Sequence, residues 1–599
     1  MSERHDSDGP KRRWVALAAI LVGITTTILL SIGHREVGYV RDEGIYFVAS
    51  RAYGSWASKL SKEPAHALSK KTRDRAFRIN HEHPPLMKLA AGLSARLFAQ
   101  PSAPPAGETL VEPAAAGLLP LMPEGAAMRL PAQILAGLGA ALLVIAGTSI
   151  GGSLVAGLLA AGWFFTLPRV WFNAGLHGFD VPVAVATLAV VLCYRAALVD
   201  RRWALALGPL LGIAIVIKHN ALFLPLLFAL HYGLCLLRAG ALREVWLWLP
   251  LGLWGVILGA PLTAFALWPW LWSSPYERLA EYFAFHRLHS YYNTEFFGIN
   301  YNQPPLPTSY PFWLTWATVP SVLLLLAVTG LAIALWRDLR KPGTGAASTD
   351  PSKSIDSADK DATKYAAKTA LPVRGKARSF SAPLHPEERL DGVLLTLFAI
   401  FPIALIALPT VPIFGGTKHW LTAYPFLALA AALAWTSLWR CAGLGSRWRH
   451  APAVGLLLVL IPSTWSTVHS HPLGLSAYAP LVGGARGAAE RGLLRGFWGH
   501  AVLPLLPEIA AVSDSDRRRF YLHDLHPLCR RQYLREGRWP ANTPPAAADR
   551  ARAGLLFHER HMLSYEVQLW NQLGGVAPTA IVELDDVPLT SLYVKEPRK

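Results

Sequence analysis

The feature that most constrains the fold of this chain is a series of eleven apolar runs separated by polar loops. A helix needs about 20 residues to cross the hydrocarbon core of a bilayer, and most of the runs approach that length. The predicted spans are Trp14–Gly33, Leu130–Ile150, Ser153–Pro168, Asp180–Ala197, Trp203–Ile217, Ala221–Leu237, Val245–Trp268, Phe312–Trp336, Val393–Leu408, Trp420–Trp439 and Pro452–Val468. The sequence therefore predicts an α-helical polytopic membrane protein with about eleven transmembrane helices.

Composition supports a membrane protein and argues against two other classes. Of the 599 residues, 52% are hydrophobic and only 16% are charged. The net charge of +18 does not indicate a nucleic-acid-binding protein, because the basic residues cluster in loops between apolar runs and no nucleic-acid-binding motif accompanies them. The four cysteines are scattered without a C-x-x-C pair, so they predict neither a disulfide framework nor a thiolate metal site.

Loop charges predict the orientation of the chain. Arginine is concentrated at four successive connections that would all be cytoplasmic if the N-terminus is cytoplasmic, as the positive-inside rule requires. The residues concerned are Arg195, Arg201, Arg202, Arg238, Arg243, Arg337, Arg340, Arg440, Arg447 and Arg449. A cleaved signal peptide ending near Gly33 is the alternative for the first run, but its length and the many spans that follow favour a retained helix. We expect a multi-pass protein of a bacterial-type inner membrane.

The spans and loops divide the chain into six regions. These are an N-terminal tail and first helix (1–33), a first external loop (34–128), a transmembrane core (129–340) with an external loop (269–311), a disordered cytoplasmic linker (341–389), C-terminal transmembrane helices (390–468) and an external, periplasmic α/β domain (469–599). The linker is predicted from its Ser, Ala, Lys and Asp content. The end of the last region alternates like a hairpin around Asp585 and Asp586.

Polar residues embedded in the apolar sequence fall on one side of the predicted membrane. Six clusters share the external side: Asp42–Glu43, His81–Lys88, His177–Asp180, Lys218–Asn220, the Tyr291–Asn302 loop and Phe414–Trp420. Ionisable residues at a membrane edge are costly to keep without a function. Six clusters on one face therefore predict a single site at the outer membrane boundary.

Several of these clusters have a simpler interpretation. Asp42 and Glu43 could be a solvated helix start, and Asp180 could cap the helix that follows it. His81 and His83 could be metal ligands, but a third ligand is not evident in the sequence. The two histidines of His558-Glu559-Arg560-His561 are three positions apart, whereas the zinc motif of zincins needs histidines four positions apart. Gly415-Gly416-Thr417-Lys418 lacks the first glycine of a P-loop. No metal site is predicted.

The order of these motifs resembles the GT-C superfamily of membrane glycosyltransferases, in particular glycosyltransferase family 39. Asp42 in Arg41-Asp42-Glu43-Gly44 is similar to the essential carboxylate after the first span of that family, and His83-Pro84-Pro85-Leu86-Met87-Lys88 is similar to its H-P-P-L-x-K motif. Arg129-Leu130-Pro131 and Asp180 also fit the pattern. Two features depart from it: the central β-trefoil of the protein mannosyltransferases is absent, and the C-terminal region has no counterpart that identifies the acceptor.

The resemblance implies an inverting glycosyltransferase that uses a sugar linked to a polyprenyl phosphate, with a protein, lipid or glycan as acceptor. Asp42 would be the base, with Glu43 and Asp180 as further catalytic or positioning carboxylates. The candidate substrate-binding residues are His83, Lys88, Arg129, His177, Lys218, Asn220, Tyr292, Asn293, Asn302, Lys418 and His419. Because Lys and Arg can hold the phosphate, no cofactor and no obligatory metal are expected. The alternatives are a transporter or flippase of polyprenyl-linked sugars, and a non-catalytic scaffold.

Overall fold

The computed structural model describes residues 9–106, 111–239, 252, 254–340, 384, 388–443, 450–513, 519–523, 525–541 and 543–595. Within these residues, seven helices are long and apolar enough to cross a membrane: Arg12–Gly33, Glu124–Gly151, Asp180–Ala197, His219–Arg238, Ser321–Arg340, Gly416–Cys441 and Ala451–Ser470. An eighth span results if Leu154–Phe165 and Pro168–Ala174, which are bent by 79°, count as one. The predicted α-helical polytopic membrane fold is confirmed, with fewer helices of full spanning length than the predicted eleven.

The other predicted spans also contain helices, but these are shorter. The helices Arg202–Ile217, Gly255–Ala266 and Asp391–Ile406 have fewer than 18 residues each. The predicted span Phe312–Trp336 is divided into Tyr310–Thr318 and Ser321–Arg340, because the residue before Pro320 is held in an extended conformation. Part of the predicted span Val245–Trp268 and most of the predicted linker 341–389 lie outside the described residues.

One helix lies at the centre of the membrane region. The α-helix Tyr424–Cys441 is preceded by the 3₁₀ helix Gly416–Ala423, and its side chains are buried from Tyr424 to Thr436. Five of the residues between these two are alanine, and such small side chains let neighbouring helix backbones approach closely. The central helix thereby fixes the position of the 3₁₀ helix that carries Lys418.

The first external loop is largely helical. Its helices are Arg41–Lys62, Pro64–Leu68, Lys70–Phe77 and Leu86–Phe98. The first of them, which we call the Asp42 helix, crosses Leu86–Phe98 where Gly54 and Gly92 face each other, and a Cβ atom on Gly54 would lie 2.7 Å from the Gly92 backbone. Glycine is therefore required at this crossing, which packs the Asp42 helix closely on the Leu86–Phe98 helix.

Several shorter elements complete this part of the chain. The helix Leu224–Arg238 forms most of the span His219–Arg238, and the others are Pro269–Trp272, Pro275–Arg287 and a hairpin of strands β1 (Thr294–Phe296) and β2 (Ile299–Tyr301). Strands β1 and β2 are antiparallel. All except Leu224–Arg238 belong to the predicted external loop 269–311, so this loop is folded rather than extended.

The C-terminal region is the predicted α/β domain. Its four-stranded sheet has the order β3 (Phe520–Leu522), β4 (Ala553–Phe557), β6 (Val587–Val594) and β5 (Ala580–Leu584), and only the β3–β4 pair is parallel. The helices and short 3₁₀ segments are Gly474–Ser476, Pro480–Val482, Gly484–Glu490, His500–Leu505, Leu506–Ser513, Pro527–Arg535, Ala548–Arg550, Arg560–Met562 and Leu563–Leu573. The predicted hairpin is confirmed: Asp585 and Asp586 form its turn, both with positive φ, as a two-residue type I′ turn requires.

The C-terminal domain packs directly on the start of the Asp42 helix. The Cys529 thiol donates to the Val40 carbonyl at 3.1 Å, and the Tyr39 amide donates to the Tyr533 hydroxyl at 2.7 Å. A Cβ atom on Gly44 would lie 2.8 Å from the Cys529 amide nitrogen, so only glycine permits this approach. The domain therefore helps to hold Asp42 in place.

Candidate active site

Asp42 lies in the first turn of its helix and forms an ion pair with Lys418 of the central 3₁₀ helix. The Lys418 ammonium donates to the Asp42 carboxylate at 3.2 Å. The Asp42 side chain is 31% exposed, whereas the Lys418 side chain is only 7% exposed. The ammonium also lies 3.6 Å from the centroid of the Trp498 ring, in a cation–π contact. Asp42 is thus a reachable carboxylate beside a largely buried cation.

A second carboxylate–ammonium pair lies within electrostatic range of the first. Lys218 donates to Asp180 at 2.6 Å, and Lys418 interacts electrostatically with both of these residues. Asp180 is the first residue of its helix and Phe179 is the N-cap; among the described residues, the hydrogen bond of the Asp180 carboxylate is to Lys218 and not to a backbone N–H. The capping alternative for Asp180 is therefore not observed, and its carboxylate faces Lys218 instead.

Tyr46 lies near both ion pairs and was not among the site residues predicted from the sequence. It lies one helical turn after Asp42, and its ring centroid is 4.4 Å from that of Phe179. Burial, together with the nearby Asp42, Asp180 and Glu82 carboxylates, raises the pKa of Tyr46 well above its usual value. Its hydroxyl therefore stays protonated and can donate a hydrogen bond. The sequence signal was its spacing of four residues from Asp42 on one helix face.

Glu43, the neighbour of Asp42, points into the protein. Its buried carboxylate accepts from Arg129 Nε at 2.7 Å and Nη2 at 2.6 Å, and from the amide of His177 at 2.8 Å. The guanidinium of Arg129 also donates hydrogen bonds to three backbone carbonyls in the segment before the Asp42 helix, those of His34, Val37 and Gly38. Glu43 and Arg129 therefore fix the entry to the helix, and this geometry favours a positioning role for both.

Lys88, on the Leu86–Phe98 helix, and His83, in the turn before that helix, support the site. The buried Lys88 ammonium donates to the Asn80 carbonyl and side chain, at 2.5 and 2.9 Å, and to the His83 carbonyl at 2.9 Å. Burial lowers the pKa of Lys88 to about 7. The His83 ring lies edge-on to Tyr46 at 6.2 Å, and burial and Lys88 lower the pKa of His83 well below its usual value. Lys88 thus holds the turn, and neutral His83 faces Tyr46.

His177 is a further positioning residue. One ring nitrogen lies 2.8 Å from the Ser50 hydroxyl on the Asp42 helix, and the ring stacks on Phe47 with centroids 5.9 Å apart. Burial lowers the pKa of His177 to about 3, so the imidazole is neutral. His177 therefore connects the loop before Asp180 to the Asp42 helix.

Histidines and aromatic rings surround Lys218 and Lys418. His219 and His286 have ring centroids 4.1 Å apart, His289 stacks on Phe414 at 5.1 Å, and His419 lies edge-on to Phe414 at 5.0 Å. His286 and His289 were not predicted as site residues, although both lie in the predicted external loop 269–311. Burial lowers the pKa of His286 to about 4.

The remaining predicted residues differ in how close they come to this site. The Tyr292 ring contacts Phe414, with centroids 4.9 Å apart, and the Asn220 side-chain oxygen is buried without a hydrogen-bond partner among the described residues. Asn293 accepts from Asn300 at 2.7 Å at the β1–β2 hairpin, and Asn302 is exposed. Tyr292 and Asn220 therefore belong to the wall around the lysines, while Asn293 and Asn302 belong to the hairpin.

Comparisons with known proteins found similarity to solved structures only. No family model and no curated protein matches the chain. The crystal structure of ArnT from Cupriavidus metallidurans bound to undecaprenyl phosphate aligns at 13% identity with a TM-score of 0.43, over 97% of this chain and 99% of that one. The same protein in the apo state aligns at 14% identity with a TM-score of 0.46, over 97% of this chain and 100% of that one. With identities and TM-scores this low, the function has to be inferred from the side chains of this chain.

Proposed function

We propose that this chain is an integral-membrane glycosyltransferase that moves a sugar from a polyprenyl-phosphate donor to an acceptor at the outer face of the membrane. The observation that carries the proposal is the reachable Asp42 carboxylate, paired with Lys418 and adjacent to the Asp180–Lys218 pair. Asp180, Lys218 and Lys418 lie at the ends of apolar helices, a position suited to a substrate that enters from the bilayer. Two carboxylates and two cations supply a base and a binding site for a phosphate leaving group.

Asp42 is the proposed base. An inverting transfer is a single displacement in which the acceptor oxygen bonds to the anomeric carbon as the phosphate oxygen leaves with its electron pair. The acceptor hydroxyl proton passes to the Asp42 carboxylate in a transition state that resembles an oxocarbenium ion. Asp42 is also the more exposed of the two carboxylates, so an acceptor reaches it first.

Lys218 is the proposed cation for the departing phosphate. In an inverting displacement, the base and the leaving group lie on opposite sides of the anomeric carbon. Lys418, which is hydrogen-bonded to the proposed base Asp42, is therefore not the cation best placed for the phosphate. Lys218 is the candidate for this role because its hydrogen-bond partner is Asp180 rather than Asp42. A phosphate that competes with Asp180 would gain a charge-assisted hydrogen bond from Lys218.

The neutral imidazoles around Lys218 suit a sugar ring. A neutral imidazole has one donor and one acceptor nitrogen, so it can bond to sugar hydroxyls without adding charge. His286 and His83 have lowered pKa values and are in this neutral form at pH 7. The identity of the sugar and the class of acceptor are left open by this proposal.

Incubation of the purified chain with a labelled polyprenyl-phosphate sugar and membrane extract tests the proposal. We expect free polyprenyl phosphate and labelled acceptor to appear together, and Asp42→Asn to suppress both. The control is Asp549→Asn, which makes the same chemical change at a side chain that is 70% exposed in the C-terminal domain. If a panel of hexose and pentose donors gives no release, the proposal is wrong.

The transporter alternative gives a different result in the same system. A flippase reconstituted into liposomes moves the intact lipid-linked sugar between leaflets and leaves the sugar–phosphate bond unbroken. Transfer of label to the other leaflet without release of polyprenyl phosphate would therefore favour transport over glycosyl transfer.

A further inference from the structure

A second group of ligating side chains lies in the C-terminal domain, at the carboxyl ends of β3 and β4. These strands are parallel neighbours, so their carboxyl ends meet at one edge of the sheet. His523 directly follows β3, and Glu559 follows β4 by two residues. His561 lies in the 3₁₀ turn Arg560–Met562. The topology thus brings together two histidines and a carboxylate from separate parts of the sequence.

Backbone hydrogen bonds fix the two loops that carry these residues. The His523 amide donates to the Leu555 carbonyl of β4 at 3.2 Å, which ties the end of β3 to its neighbour. The Met562 amide donates to the Glu559 carbonyl at 2.8 Å and closes the turn that presents His561. The three side chains therefore project from an ordered sheet edge.

The geometry of the three side chains fits a metal ion. One ligand atom from each residue lies within 4.8 Å of the other two, and His561 Nδ1 is 3.4 Å from the Glu559 carboxylate. Tetrahedral zinc with ligand distances of about 2.0–2.2 Å separates its ligand atoms by about 3.3 Å, so modest side-chain rotation completes the site. A His561–Glu559 ion pair alone would leave His523 unexplained, since its buried Nδ1 has no hydrogen-bond partner among the described residues.

A nearby positive charge lowers the affinity of this site for a metal ion but does not prevent binding. Glu559 supplies one negative charge, whereas Arg41 interacts electrostatically with both His523 and His561. A nearby guanidinium opposes the binding of a cation. Imidazole and carboxylate together suit zinc and other divalent transition metals better than magnesium or calcium, which prefer oxygen ligands.

We propose that His523, Glu559 and His561 bind one divalent transition-metal ion of the zinc class, with a fourth position open to water. The site is separate from the Asp42–Lys418 pair, and it does not depend on the proposed glycosyl transfer. A bound ion would cross-link the β3 and β4 loops near Arg41, the first residue of the Asp42 helix. It would therefore stabilise the face of the domain that supports the active site.

Metal content of the full-length protein tests this proposal. The purified chain is stripped with chelator, dialysed against Zn²⁺ or Co²⁺, and its bound metal is measured by atomic emission. We expect about one ion per chain in the wild type and at least a tenfold weaker binding in His523→Ala and His561→Ala. The visible spectrum of Co²⁺ should also report a nitrogen- and oxygen-ligated site in the wild type that both variants lose.

His558→Ala is the matched control. His558 is the neighbour of Glu559, but its ring nitrogen lies 2.8 Å from the Ser591 hydroxyl rather than in the cluster. This variant should keep the wild-type stoichiometry. Glu559→Gln keeps the side-chain shape and should weaken binding, which separates loss of a ligand from loss of folding. The proposal is overturned if the wild type binds no zinc at micromolar concentrations. It is also overturned if His286→Ala removes the metal while His523→Ala does not, because the ion would then lie among the membrane-side histidines.

Discussion

The Lys418 ammonium reaches across 376 positions of sequence to donate to the Asp42 carboxylate at 3.2 Å. This contact joins the 3₁₀ helix Gly416–Ala423, which precedes the central helix, to the first turn of the Asp42 helix. Glu43, one residue further along the same turn, points the other way into a buried pair with Arg129. Two adjacent carboxylates thereby acquire different roles: Asp42 faces an accessible site, and Glu43 fixes the backbone that carries it.

Replacing Asp42 with asparagine should suppress transfer without unfolding the protein. The amide keeps the shape of the side chain and loses the ability to take a proton, so we expect the rate to fall about 100-fold or more, within the range for loss of a general base. The measurement is the initial rate of polyprenyl-phosphate release. Near-normal turnover by a variant with an unchanged thermal midpoint would show that Asp42 is not the base.

Replacing Lys218 and replacing Lys418 should change different kinetic parameters. If Lys218 binds the phosphate, Lys218→Gln should raise KM for the donor as well as lower kcat. Lys418→Gln removes the cation beside Asp42 and should lower kcat with little change in donor KM. Steady-state rates at varied donor concentration distinguish the two effects. The assignment is reversed if Lys418→Gln raises donor KM and Lys218→Gln does not.

The Glu43–Arg129 pair should matter mainly for stability. Removing one partner of a buried ion pair costs about 3–5 kcal/mol, because the other charge is left unpaired in the interior. We therefore expect Glu43→Gln and Arg129→Met each to lower the thermal midpoint strongly, and the double replacement Glu43→Gln/Arg129→Met to be less damaging than the sum of the two. If Glu43→Gln keeps the wild-type midpoint but loses transfer as completely as Asp42→Asn, Glu43 takes part in the chemistry directly.

Lys88 should make stability depend on pH. Its pKa is about 7 in the folded protein, lowered by burial, and about 10.4 in an unfolded chain. Between these values the folded state binds fewer protons than the unfolded state, so stability should rise with pH across this window. We expect the thermal midpoint of the wild type to increase between about pH 7 and 9 relative to Lys88→Met. Parallel pH profiles would mean that the three carbonyl acceptors keep Lys88 charged throughout.

Much of the architecture could be predicted from hydrophobic periodicity. Apolar length located a helix in each predicted span, and alternation around Asp585 and Asp586 located the β5–β6 hairpin. Asp42, Asp180, Lys218 and Lys418 come from four of the predicted polar clusters, and the structure brings these four residues close together. Among the described residues, fewer than eleven helices reach full spanning length, because several of the predicted runs were themselves short; the helix in the predicted span Val393–Leu408 is Asp391–Ile406, with 16 residues.

Side-chain direction could not be predicted in the same way. Nothing in the sequence distinguishes the direction of Asp42 from that of Glu43, because a helix turns about 100° per residue and the orientation depends on what packs against it. Trp498, which contacts Lys418, comes from the C-terminal domain and reaches the site only through the packing of that domain on the Asp42 helix. The sequence analysis considered Glu559 and His561 only as part of a zincin-like motif with the wrong spacing; their grouping with His523 could not be predicted, since strand pairing rather than sequence spacing brings the three together.

Removal of metal should lower the thermal midpoint of the protein and leave its rate of glycosyl transfer unchanged. In the proposed reaction the phosphate charge is met by lysine, so stripped protein should retain its initial rate of transfer when assayed well below its thermal midpoint. The same treatment should lower that midpoint if the cluster of His523, Glu559 and His561 holds an ion, and added Zn²⁺ should restore it. His523→Ala should show the lower midpoint with or without chelator. If chelation instead abolishes transfer in both wild type and His523→Ala, and one divalent ion restores it, a metal acts at the membrane site and the lysine-only account of phosphate departure is wrong.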